Sequence, residues 1–176
     1  KEILADAQEK GYGVGYFNAV NMEMVRAYIR AAEQCQSPII IGTAEALMPY
    51  ADFNWIVPIM LEQARRAKVA VHLDHTYSFE LLMQALRAGF GSVMYDGSRE
   101  KTSEENIRKS AEIVRIAHGM GVGVECELGS VGGLTDSNGK VDQMVYTEPE
   151  EAKSFVDQTG TDFLAVSIGT CHGVYK

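Results

Sequence analysis

Residues 71–80 read VHLDHTYSFE, an apolar run that leads into His72, Asp74 and His75. A chain with only four histidines places two of them around one carboxylate here. That concentration suits either a hydrogen-bonded strand end or a centre for proton transfer and divalent-metal binding, because zinc takes neutral imidazole and carboxylate ligands. Asn18, Thr43, Asp96, Glu127 and His172 stand in comparable positions, each where an apolar run gives way to polar sequence. Taken singly, each has a structural alternative. Asp96 suits capping the backbone of its own DGS turn, Glu127 suits pairing with a neighbouring cation, and a lone histidine can close a strand end. His118, beside Gly119 in a helical segment, reads as structural. His72 has the parity of a core or supporting group.

The elements that must position these residues alternate between strand and helix. GYGVGYFN (11–18) reads as a Gly-rich strand, and Asn21 as the N-cap of MEMVRAYIRAAEQC. IIIGT follows Pro38 as a fully buried run, the kind found in parallel sheets. FNWIVPIMLEQARRA is a helix, VAVHLDH a strand, and FELLMQALRAG a helix closed by Gly89. GSVMYDGS, VGVECELG and DFLAVSIGT supply three more strands. IRKSAEIVRIAHGM and PEEAKSFVDQTG are the helices between them, the latter with Thr147 and Glu150 spaced as a capping box. Six strands alternating with helices predict βαβ units, a parallel sheet and an α/β fold. The candidate residues all fall at the carboxyl ends of strands, the edge where parallel α/β folds bind ligands. The pattern alone does not separate a doubly wound sheet from a (β/α)₈ barrel. No GxGxxG lies in the first unit, so nothing supports a dinucleotide site. The polar stretch 129–149 reads as a lid over that edge or as a solvated insertion.

Composition narrows the function further. With 24 acidic against 16 basic side chains the formal charge is −8, which argues against nucleic acid or an anionic membrane as partner. A local basic pocket for a phosphorylated metabolite stays compatible with it. Cys35, Cys126 and Cys171 form no CxxC pair, as expected in a reducing compartment. With no long apolar run and no signal-peptide pattern, the expectation is a cytoplasmic protein with a single domain over 1–176.

Four segments in order, HLDHT (72–76), SVMYDGS (92–98), ECELGSVGG (125–133) and DFLAVSIGTCHG (162–173), resemble the successive motifs of zinc-dependent class II aldolases. The branch they are most similar to contains fructose-bisphosphate and tagatose-bisphosphate aldolases. The resemblance implies a (β/α)₈ TIM barrel of which this chain covers the first six β/α units. It implies a lyase of carbohydrate metabolism and glycolysis that reversibly cleaves a ketose bisphosphate to dihydroxyacetone phosphate and glyceraldehyde 3-phosphate. It makes Asp74 the proton-transfer group and His75 and His172 zinc ligands. Asp96 and Glu127 match a second or alternative cation site, Gly173 a contact to the dihydroxyacetone phosphate portion, and Asn18 a polar residue on the substrate side. A homo-oligomer, dimer or tetramer, is expected. The metal-free route to this chemistry needs a Schiff-base lysine in an apolar pocket. Lys68 lies at the wrong end of its strand for that, and the strand cores hold no lysine.

The resemblance has two departures. Thr135 stands in GGLTDSNGK about where the family carries a glutamate base, so Asp136 is the candidate substitute. A complete barrel needs roughly 250 residues, so the third zinc histidine and a Gly-rich phosphate loop are expected beyond Lys176, in a longer protein. Thr135 also leaves open a non-catalytic sugar-phosphate-binding homologue or partner subunit. An aldolase for another ketose phosphate is a further alternative.

Overall fold

A computed structural model describes residues 1–65, 67–129, 131 and 146–170. The strands are β1 (Tyr16–Asn18), β2 (Ile39–Ala44), β3 (Val69–Thr76), β4 (Ser92–Tyr95), β5 (Gly123–Leu128) and β6 (Phe163–Val166). The helices are α1 (Glu2–Lys10), α2 (Met22–Cys35), α3 (Phe53–Ala64), α4 (Phe79–Ala88), α5 (Ser103–Gly119) and α6 (Pro149–Thr159), with a 3₁₀ turn at Glu45–Leu47.

All neighbouring strands are parallel, and their spatial order is β1-β2-β3-β4-β5-β6. This order decides between the two architectures. A doubly wound sheet reverses direction at a switch point, whereas here each crossover steps the same way. Right-handed crossovers that never reverse keep their helices on one face and curl the sheet. The result is six units of a (β/α)₈-type barrel.

Strand alternation then sorts the side chains. Ile39, Ile41, Val71, Leu73, Val93, Val124 and Cys126 share one face by register and are buried. They pack against Val25 and Ile29 of α2, Val57 and Met60 of α3, Leu82 and Leu86 of α4, Ile113 and Val114 of α5, and Phe155 of α6. The other, concave face carries Tyr16, Asn18, Gly42, His72, Asp74, Ser92, Glu125 and Glu127. Apolar parity points at the helices and polar parity at the barrel axis.

Local signals set most boundaries. Asn21 caps α2 by accepting from the Met24 amide at 2.9 Å. Asp52 and Ser78 do the same for α3 and α4. Gly89 ends α4 in the left-handed region at φ 98°. Four boundaries differ from expectation. The strand expected over 11–18 pairs with β2 only from Tyr16, because Gly11, at φ 70°, is still the C-cap of α1. Helix α1 itself buries only Ala7, so it leaves no apolar stripe in the sequence. Helix α5 starts four residues before the expected Ile107, because Thr102 accepts from the Glu105 amide at 3.1 Å. The Thr147–Glu150 capping box does not form, and the N-cap of α6 is Glu148 without a side-chain bond. Thr147 is occupied elsewhere: its hydroxyl donates to the Leu128 carbonyl at 2.5 Å and accepts from the Ser167 amide at 2.9 Å.

Candidate active site

In a regular strand Asp74 and His75 would point to opposite faces. The β3–β4 register prevents this. Leu73 pairs with Val93 and Thr76 with Tyr95, so three residue steps on β3 oppose two on β4. The extra residue is a β-bulge, which places two consecutive side chains on the same side. His75 takes up the distortion with φ 34°, in the left-handed region where a non-glycine residue is strained. Both side chains therefore face the barrel axis at its carboxyl edge.

The bulge brings His75 to the ends of β4 and β5. Its Nδ1 lies 2.9 Å from Asp96 Oδ2 and 3.7 Å from Glu127 Oε2, and its Nε2 lies 4.0 Å from Asp74 Oδ1. Asp96 caps its own DGS turn and also reaches His75. Its Oδ2 meets His75, while Oδ1 accepts from the Ser98 amide at 3.0 Å and the Ser98 hydroxyl at 2.5 Å. Asn18 donates from Nδ2 to Asp74 Oδ2 at 3.2 Å across the sheet. Thr43 is buried on the helix-facing side of β2 and takes no part.

Burial pushes the Asp96 carboxyl upward, but hydrogen bonds from His75 and Ser98 outweigh it and hold the group down at about 2. The bond to Asp96 lifts His75 to about 9, against the opposing effect of burial. Burial, then the charge of Asp96, lifts Glu127 to about 7. Two carboxylates, Asp96 and Glu127, thus compete for the one positive charge that His75 can carry.

His75, Asp96 and Glu127 each present a ligand atom, and these atoms lie within 4.8 Å of one another. Glu127 Oε2 is buried and has no hydrogen-bond partner among the described residues. A buried carboxylate oxygen without a donor is costly, and a cation would satisfy it. The imidazole and two carboxylates match the N/O donor set of zinc and similar divalent ions.

His172, Gly173, Asp136, Thr135 and most of the 129–149 segment lie outside the described residues. His118 is far from this edge: its Nε2 is 2.9 Å from Asp162 Oδ2, at the start of β6. None of the six strands contains a lysine. His72 supports the site from one layer deeper, 2.8 Å from Ser92 Oγ and 3.4 Å from Glu125. Burial, then the charge of Asp74, raises Glu125 to about 7, and burial lowers His72, so both shifts favour an uncharged pair.

Three supporting residues escaped sequence reasoning. Glu45, in the 3₁₀ turn after β2, accepts from the Tyr77 and Ser78 amides at 2.7 and 2.9 Å, which pins the chain just past the bulge. Asn106 of α5 donates to the Glu127 carbonyl at 3.0 Å and accepts from Ser110. Gly97 makes room for Asn106, since a Cβ there would lie 1.9 Å from its Oδ1. A glutamate directly after a catalytic-edge strand was a readable signal. An asparagine in the first turns of an acidic helix was not.

A model of the family described as fructose-bisphosphate aldolase class-II matches residues 1–176. The chain belongs to the class II fructose-bisphosphate aldolase family. Among curated relatives, it is 46% identical to a fructose-bisphosphate aldolase of Thermus caldophilus over 178 residues, covering 99% of this chain and 58% of that protein. It is 43% identical to a probable fructose-bisphosphate aldolase of Bacillus subtilis (strain 168) over 180 residues, covering 99% of this chain and 62% of the relative. In three dimensions it resembles the YdjI aldolase of Escherichia coli K12, with a TM-score of 0.85 and 37% identity over 96% of this chain and 61% of that one. The chain thus spans about three fifths of the length of these aldolases. Among the described residues, no helix is long and apolar enough to cross a membrane.

Proposed function

We propose that the protein is a zinc-dependent class II aldolase, a lyase that reversibly cleaves a ketose bisphosphate, fructose 1,6- or tagatose 1,6-bisphosphate. The products are dihydroxyacetone phosphate and glyceraldehyde 3-phosphate. The observation that carries this reading is the β3 bulge, which turns Asp74 and His75 to one side and sets His75 against Asp96 and Glu127.

In the cleavage direction Asp74 accepts the proton of the substrate's C4 hydroxyl. The C3–C4 bond breaks, C4 leaves as the aldehyde, and the electron pair passes towards the ketone oxygen at C2. Return of a proton to C3 completes dihydroxyacetone phosphate. Asn18 holds Asp74 by its 3.2 Å hydrogen bond, so the receiving oxygen is fixed before substrate arrives. His75 and His172 would hold zinc, with Asp96 and Glu127 serving a second or alternative cation. When bound, zinc supplies a Lewis acid for the charge that develops on the ketone oxygen. Asp136 is proposed as the loop base in place of the family glutamate, and Gly173 as a backbone contact to the dihydroxyacetone phosphate portion. The working protein is proposed to be a cytoplasmic homo-oligomer, a dimer or tetramer.

Thr135, in the approximate slot of the family glutamate, favours a second reading: a homologue that binds a sugar phosphate without cleaving it. Offering both bisphosphates to the intact protein and following dihydroxyacetone phosphate separates the two. The aldolase reading expects product, loss of product with a chelator, and recovery with zinc. Zinc-independent cleavage with borohydride trapping of a covalent adduct contradicts the zinc reading, and binding without product supports the second reading.

A further inference from the structure

The concave face carries a polar side chain that the reaction above does not use. Tyr16, at the start of β1, donates its hydroxyl to Asn18 Oδ1 at 2.5 Å. Asn18 in turn donates from Nδ2 to Asp74 Oδ2. A carboxamide has one accepting end and one donating end. With its accepting end taken by Tyr16, Asn18 can offer Asp74 only the donating end.

The tyrosine is itself held. Its ring meets His72 edge-on, with centroids 5.6 Å apart and planes at 88°, and His72 is held by Ser92. Gly42 leaves room for the hydroxyl: a Cβ there would lie 2.7 Å from the Tyr16 oxygen and 2.1 Å from the His72 carbonyl. Tyr28 of α2 donates to the Asn18 carbonyl at 3.2 Å, so the backbone that carries the carboxamide is also fixed. Burial, then the Asp74 carboxylate through its charge and its side-chain contact with the phenol, raise Tyr16 far above its usual value, which keeps it a donor.

We propose that Tyr16 is a positioning residue of the active site, acting through Asn18 to fix the orientation of Asp74. Without the hydroxyl, the Asn18 carboxamide has no partner at Oδ1 and samples orientations that present an oxygen to the Asp74 carboxylate. The inference rests on Asp74 being the proton-transfer group.

The test is a double-mutant cycle in the intact, zinc-loaded protein, with fructose 1,6-bisphosphate as substrate. Tyr16→Phe keeps the ring against His72 and removes only the hydroxyl. One neutral hydrogen bond corresponds to a loss of roughly 5- to 10-fold in kcat, with KM and zinc content at wild-type values. In an Asn18→Ala background the same substitution should cause no further loss, because residues that act in series are not additive. Wild-type turnover in Tyr16→Phe, a change confined to KM, or an equal loss in the Asn18→Ala background would each overturn the proposal. Asp74→Asn serves as the control. If that variant turns over normally, the functional reading itself fails, and the role of Tyr16 fails with it.

Discussion

Asp74 and His75 are adjacent in the chain, and adjacency in a strand normally separates two side chains. Their sequence spacing advertised chemistry but not the bulge that makes it possible. No residue type in HLDHT announces a left-handed histidine, because the distortion is imposed by the β3–β4 register and not by local propensity. Asp96 and Glu127 were legible as strand-end carboxylates, whereas their convergence on His75 required the curl of the sheet. The residues that hold the cluster were less visible still. Asn106 satisfies the Glu127 carbonyl from inside a helix and is itself buried. Replacing it with Ala leaves that carbonyl without its donor. The expected cost is about 1–3 kcal/mol, read from the urea midpoint of Asn106→Ala against wild type. An unchanged midpoint would show that water or a neighbouring group replaces the amide.

Apart from α1, strand and helix identities were readable because parity and capping act locally. What failed was the assignment of a polar side chain between two partners that both suit it. Thr147 was expected to cap α6, but it bridges the ends of β5 and β6 instead. Thr147→Val should therefore destabilise the protein by about 1–3 kcal/mol, because a buried carbonyl and amide lose their partner. Glu150→Ala should leave denaturant stability nearly unchanged. A capping box would make both variants costly. At the opposite edge Asp162 ties three elements together, accepting from Val124 N at 2.9 Å and from His118 Nε2 at 2.9 Å, and pairing with Lys1 at 2.5 Å. Burial raises its carboxyl, but Lys1, the Val124 amide and His118 prevail and the net shift is downward. A carboxyl depressed in the folded state stabilises above the unfolded value of about 3.9 and loses that contribution as pH falls through the lower folded value. Asp162→Asn should therefore lower the melting temperature at pH 6 and converge on wild type in strong acid. A difference that persists undiminished at low pH would show that its effect is steric.

At the scale of the whole chain, a net charge of −8 accompanies a concave face on which His75, Asp96 and Glu127 gather as a candidate cation site. The fold class was readable from alternation alone, but the choice between a barrel and a doubly wound sheet was not. That choice depends on which way each crossover turns, a property of the packed sheet that no local pattern of apolar and polar residues encodes. Among the described residues, β1 and β6 of the six-stranded sheet are each paired on one side only. Unpaired parallel edges recruit other chains. A polypeptide of residues 1–176 expressed alone should therefore self-associate and fail to cleave ketose bisphosphates. Its mass by light scattering checks this, and a stable, active monomer would contradict it.

One bulge turns two adjacent residues towards one site, and the proposed function gives them different roles. The most direct measurement compares zinc content and kcat side by side in Asp74→Asn and His75→Ala of the intact protein. Asp74→Asn preserves shape and removes the proton acceptor, so turnover should fall by roughly 10²- to 10⁴-fold with zinc retained. His75→Ala should lose both zinc and turnover. Near-normal turnover in Asp74→Asn, or full zinc occupancy in His75→Ala, would contradict the account.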